Sequence, residues 1–212
     1  MINQDAIRLL DHFFAQPSFF TNNYAAFAKN AEEYSLLKRE FCIGPVTQNP
    51  DFQKRFANFY RMRFVSAAGI TAFFRKMELL RNNHDDLDAR LLTEELQPEM
   101  GQYPFSFVTK MLNMLDDETY PIYDSQIGTV FQIPFIPEET RLEQQESVYR
   151  DVTDTYNALR EHPAIADFRA RFGCPEMGTM KVLDALFWRM GKILDQDGLE
   201  LSPAEYLEGQ IQ

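Results

Sequence analysis

The amino-acid sequence predicts an all-α protein. Apolar residues recur at three- and four-residue spacings along most of the chain. No stretch alternates apolar and polar residues as a half-buried strand would, and no internal repeat is visible. Glycine and proline fall where the helical runs end. Ile7, Leu10 and Phe14 mark a first helix that breaks near Pro17. Tyr24, Phe27, Ala31, Tyr34 and Leu37 form a second, stopped by Gly44-Pro45. Phe52, Phe56 and Phe59 begin a run that continues through Gly69 towards Leu80, as one long helix or a broken one. The acidic stretch HDDLDARLLTEELQP predicts a short helix ending near Pro98. Phe107, Met111, Leu112 and Leu115 define the next, and a turn, TYPIYDSQ, leads into another through Phe131. Pro134 and Pro137 mark a loop. Tyr149, Val152, Tyr156 and Leu159 share one face of a long charged helix. Pro163 suits a first helical position and Gly173 a helix close. Met180, Leu183, Phe187 and Met190 form the inward stripe of a last major helix.

Composition narrows the class of protein. With 212 residues, the chain is long enough to bury one sizeable core or to build two small lobes. Apolar residues at 45% and charged residues at 25% are ordinary for a globular domain, so extensive disorder is not expected. The 19 phenylalanines point to a core filled by rings. We expect one compact all-α domain of two helical lobes over residues 1–212. Cys42 and Cys174 are too few and too distant for a disulfide framework. His12, His84 and His162 have no zinc-like spacing, and His84-Asp85-Asp86 with Asp88 suits an acidic surface helix better than a metal site. No basic-then-apolar leader and no membrane-length apolar run occurs, so the expectation is a soluble, reduced, cytoplasmic protein without metal or organic cofactor.

The net charge is −11 but unevenly spread. Between residues 51 and 81 seven basic side chains stand against Asp51 and Glu78, a local +5 that leaves −16 elsewhere. Arg61, Arg63, Arg75 and Lys76 in this strip are candidates for contact with a polyanion backbone. The strip is equally an exposed helix face that pairs with the protein's own acidic helices.

One pair of residues raises a question of chemistry. Lys110 sits among large apolar side chains in PFSFVTKMLNML, and Asp124 opens the helix after TYPIYDSQ. Asp124 is by itself an ordinary helix cap. Lys110 shares a helical face with Ser106 and Asn113, as expected of a solvated surface. Taken together, however, the ordered lysine, turn, proline and aspartate resemble the helix-hairpin-helix DNA glycosylase superfamily, most nearly its 8-oxoguanine DNA glycosylase branch. The resemblance centres on Phe105 to Phe131 and implies a glycosylase-like core over about residues 50–195. GQYPFSFVTK stands where that family has a glycine-rich hairpin, and PIYD where it has P-V-D. No four-cysteine cluster follows, which excludes the iron–sulfur branches. In MKVLDALFWRMGK, Asp184 and Trp188 have the spacing of a polar residue and a base-stacking ring on the C-terminal helix of the oxoguanine branch. Trp188 can as well be plain core.

The resemblance implies a helical cleft in which Lys110 and Asp124 cleave the N-glycosidic bond of a damaged or modified DNA base. Lys110 would form a Schiff base, with possible lyase chemistry, and Asp124 would stabilise the developing sugar cation. Phe107, Met111 and Met114 would give Lys110 an apolar setting. Tyr120, Tyr123, Asp184 and Trp188 would receive the extruded base. DNA repair, defence against modified phage DNA, and a non-catalytic interaction protein on the same scaffold all remain open at this point.

Overall fold

Caps and stops explain most element boundaries. The computed structural model describes residues 1–62, 65–81, 83, 87–101, 103–133, 141–195 and 202–209, and all regular structure among them is helical. Helix α1 (Gln4–Phe14) starts at Asn3, whose Oδ1 accepts the Ala6 N–H at 2.9 Å. Pro17, expected to break the chain, is instead the first residue of α2 (Pro17–Asn22). Helix α3 (Tyr24–Ile43) stops at Gly44. Helix α4 (Pro50–Phe59) follows Asn49, which caps Phe52 N at 3.0 Å.

The run from Phe52 to Leu80 is broken rather than continuous. Helix α4 ends at Tyr60, and Arg61 takes a left-handed backbone with φ of 53°. Helix α5 (Ala67–Arg81) then starts afresh. Gly69 lets α5 approach the end of α6 (Ala89–Met100), because a Cβ there would press on Met100 Cα at 3.0 Å. Asp88 caps α6, which runs past the exposed Pro98 to Gly101, where φ is +70°.

Helices α7 (Phe105–Leu115) and α8 (Ser125–Phe131) flank the TYPIYD turn. Beyond them come α9 (Arg141–Ala158), α10 (Pro163–Phe172), α11 (Thr179–Asp195) and a short α12 (Pro203–Gly209) that the sequence reading did not include. Pro163 opens α10 and Gly173 closes it at φ +61°. The loop expected at Pro134 and Pro137 lies outside the described residues, as do Arg63 and His84-Asp85-Asp86.

Phenylalanine rings fill the interior. Phe52, Phe56, Phe73 and Phe74 join α4 to α5, with Phe56 centred 5.6 Å from each of the other helix's two rings. Phe27, Phe168 and Phe172 join α3 to α10. Each fully buried ring contributes about 1.5–3 kcal/mol of burial free energy. Helix α11 packs most closely on α8. A Cβ at Gly191 would overlap the Gln126 carbonyl, and one at Gly178 the carbonyl of Asp117. Tyr156 stacks on Phe187 at 5.3 Å beneath that contact. No helix among the described residues is long and apolar enough to cross a membrane.

Candidate active site

The site is assembled by the turn between α7 and α8. Tyr123 N–H donates to Thr109 Oγ1 at 3.1 Å, and Asn113 Nδ2 donates to the Tyr120 carbonyl at 2.7 Å. The Tyr149 hydroxyl donates to the Pro121 carbonyl at 3.0 Å. These bonds fold the turn back along α7, so the start of α8 returns beside the middle of α7. Lys110 and Asp124 consequently line one cleft of about 870 Å³. Asp184, Trp188 and Arg61 line it as well.

Asp124 is a helix cap in fact: its Oδ1 accepts from Gln126 N at 3.0 Å and Ile127 N at 3.2 Å. The cap engages Oδ1 alone, which leaves Oδ2 uncommitted among the described residues. Lys110 is not the solvated surface residue that its neighbours Ser106 and Asn113 suggest. It is only 7% exposed, and Asn113 is fully buried. Its Nζ donates to Ser106 Oγ at 2.8 Å and lies 5.6 Å from the Phe107 ring centre. Among the described residues no carboxylate stands within ion-pair distance of it. Burial therefore pulls its pKa below the usual lysine range, although Asp124 and Asp184 act the other way.

Helix α11 supplies the cleft's far wall through one face. Lys181, Asp184 and Trp188, at successive helical turns, all line it. Lys181 Nζ pairs with Asp184 Oδ2 at 2.6 Å. The same ammonium lies 5.2, 5.3 and 5.5 Å from the ring centres of Tyr34, Phe59 and Tyr60. Burial pushes the Asp184 carboxyl above the usual carboxylate range, against the pull of Lys181. Asp184 Oδ1 and the Tyr60 hydroxyl are buried without a hydrogen bond within the described protein. Trp188 is half-buried at the wall, with the Arg61 guanidinium and the Lys192 ammonium each 5.6 Å from its ring.

Asp117 anchors this wall from below. Its Oδ2 accepts from the Tyr34 hydroxyl and from Gly178 N, each at 2.9 Å, while Lys38 pairs with Oδ1 at 3.0 Å. One carboxylate thus ties α3, the end of α7 and the start of α11 together.

Other candidates lie elsewhere. Tyr120 and Tyr123, expected as base-pocket rings, are not among the residues that line this cleft. Tyr123 instead packs edge-on against Phe105 at 5.5 Å, and Ile122 takes the lining position in the turn. Arg75 and Lys76 on α5 are also absent from the lining; Arg75 is exposed and Lys76 pairs with Glu95. Among the described residues of the basic strip, Lys54, Arg55 and Arg61 reach the cleft. Arg55 pairs with Glu40 at 3.2 Å. Among the described residues, five basic side chains besides Lys110 line the cleft against five acidic ones, so it is close to balanced in a chain of net charge −11.

The sequence reading missed Lys181, Lys54 and the ring cage. Lys181 was legible: it stands one turn before Asp184 in an otherwise apolar run, on the face already assigned to Asp184 and Trp188. The cage was not, because Tyr34 and Tyr60 come from distant helices.

No protein-family model, curated protein or solved structure matches this chain. Its chemistry is therefore read from the cleft's own groups. Among the described residues no cluster of three or more His, Cys, Asp or Glu side chains is arranged to hold a metal ion. What the cleft offers is a desolvated amine, a capped carboxylate with one oxygen to spare, a buried ion pair and a half-exposed indole.

Proposed function

We propose that the protein is a DNA glycosylase-like enzyme that cleaves the N-glycosidic bond of a damaged or modified base through Lys110 and Asp124. The observation that carries this reading is the convergence of the two side chains on one cleft, from helices joined by the TYPIYD turn. The reading includes a glycosylase-like arrangement of two helical lobes around that cleft. Lys110 is suited to nucleophilic attack because burial favours its neutral amine. In the proposed step its lone pair attacks the anomeric carbon as the bond from that carbon to the base breaks. The bonding electrons leave with the base, which takes up a proton. The sugar ring then opens as the bond from the anomeric carbon to the ring oxygen breaks. That oxygen keeps the electron pair and takes one amine proton, the other having gone to the base, and an imine to Lys110 results. Asp124 opposes the positive charge that develops on the sugar. Trp188 offers a face on which an extruded base stacks, and Lys54 and Arg61 offer cations for the flanking phosphates.

Borohydride reduction tests the reading. The protein is incubated with duplexes carrying an abasic site or a panel of modified bases, then reduced. A covalent protein–DNA adduct that disappears in Lys110→Gln is the expected result. Adduct formation undiminished in Lys110→Gln, or neither adduct nor base release with any duplex, rejects it.

A further inference from the structure

The stop that ends α4 carries an arginine where the backbone favours glycine. Met62 N–H donates to the Ala57 carbonyl at 2.8 Å and Arg61 N–H to the Asn58 carbonyl at 3.3 Å. This pair of bonds closes a helix through a left-handed residue, here Arg61 at φ 53°. Glycine holds the left-handed position at the ends of α6 and α10, and Gln132, outside the cleft lining, holds it at the end of α8. Arginine incurs a backbone cost there that glycine avoids. The turn itself would close with glycine, so what arginine adds is its side chain. That side chain is exposed, lines the cleft, and sets its guanidinium over the Trp188 ring, 5.6 Å from the centre. Among the described residues no carboxylate stands within ion-pair distance of it.

We propose that Arg61 gates the stacking face of Trp188: in the free protein its guanidinium occupies the indole, and an incoming nucleotide displaces it, the base taking the ring and the released guanidinium taking the adjacent phosphate. The ligand class is thus a base with a phosphate beside it, and not a bare base. Room decides for displacement over a sandwich. A base about 3.5 Å thick needs roughly 7 Å between the indole and a second plane. The guanidinium stands at 5.6 Å. The exchange favours a nucleotide because the cation leaves a ring contact for a charge-assisted bond to phosphate. A neutral nucleoside offers no such replacement and binds against the contact it breaks. This inference rests on Trp188 as the base-stacking ring of the proposed function.

Trp188 is the only tryptophan in the chain, so its indole N–H gives a single cross-peak in a proton–nitrogen NMR spectrum. Titrations with adenosine and with adenosine monophosphate, followed at that peak, compare the wild type with Arg61→Gly. The glycine variant is expected to bind adenosine about threefold more tightly, since the cation contact no longer competes. It is expected to bind the monophosphate no better than adenosine, whereas the wild type prefers the monophosphate. Its melting temperature is expected at or above that of the wild type, because glycine relaxes the left-handed turn. Arg61→Asn, which also tolerates that backbone, is expected to repeat both binding results. Adenosine binding unchanged or weakened in both variants, a retained preference for the monophosphate, or a peak that neither ligand moves overturns the proposal. Borohydride trapping of the wild type on an abasic duplex separates the two readings. The exchange without trapping keeps the gate and removes the glycosylase function; trapping without the exchange does the reverse.

Discussion

Lys110 is costly to the fold at neutral pH. Burial disfavours its charged form, so the proton leaves at lower pH in the folded chain than in the unfolded one. Below the ordinary lysine range the unfolded chain holds that proton more readily, and the buried amine opposes folding; the opposition fades as pH rises towards about 10.4. Lys110→Met is therefore expected to raise stability at pH 7 by about 1 kcal/mol, with the gain shrinking towards pH 10. Denaturant melts at the two pH values measure this, and equal gains at both would show that desolvation is not the cause. Asp124→Asn separates structure from chemistry at the other residue. Asparagine caps as well as aspartate, so stability should change by less than about 0.5 kcal/mol. Base release should nevertheless fall on the order of a hundredfold, because the carboxylate opposing the sugar cation is gone. Retained activity in this variant would return Asp124 to a capping role alone. Each residue's local identity was legible in the sequence: a cap motif for Asp124, a lone lysine in an apolar run for Lys110. That Lys110 is buried was not, since its helical neighbours Ser106 and Asn113 are polar and burial depends on what packs over them.

At the scale of elements, the contact of α8 with α11 sets where Asp124 stands relative to Asp184. Gly191 allows it, because any Cβ there meets the Gln126 backbone. Gly191→Ala is expected to cost about 1–3 kcal/mol, as overpacking against an unyielding backbone does, and to displace α8. Gly128→Ala is the control: its Cβ would meet only Ile133 at 3.7 Å, an ordinary contact, and alanine favours the helix. Thermal unfolding distinguishes them, and similar melting temperatures would mean that the helices slide apart freely. The helix boundaries read from the sequence hold where a cap or stop marks them, as at Gly44, Asp124, Pro163 and Gly173. They fail where a short helix has too few turns to show periodicity, as in α2 and α12.

For the molecule as a whole, charge limits how the proposed DNA substrate would be held. A chain at −11 repels a polyanion over most of its surface, and the cleft offers Lys54 and Arg61 as cations without a carboxylate partner among the described residues. Binding should therefore be weakly salt-dependent, with a slope of log affinity on log salt of about −2, from about −0.9 per phosphate neutralised. Arg61→Ala and Lys54→Ala should each reduce that slope by about 1. Fluorescence anisotropy at several salt concentrations measures it. Arg75→Ala should leave the slope unchanged, and a drop in that variant would move the contact surface from the cleft to α5.

The sequence by itself determined the helical class, most of the helix ends, and the Asp184–Trp188 face of α11, because these depend on residues within a turn or two of one another. Lys181 stands at the same three- and seven-residue spacings but was not singled out from them. Only the tertiary structure decided which rings line the cleft with Trp188: Phe59 and Tyr60, and neither Tyr120 nor Tyr123. It also decided that the basic strip divides, with Lys54 and Arg61 at the cleft and Arg75 and Lys76 away from it. The physical reason is the same in both cases. The left-handed turn at Arg61 breaks the strip into two helices, and the Asp117 carboxylate ties α3 to α11, so that side chains far apart in sequence share one desolvated space.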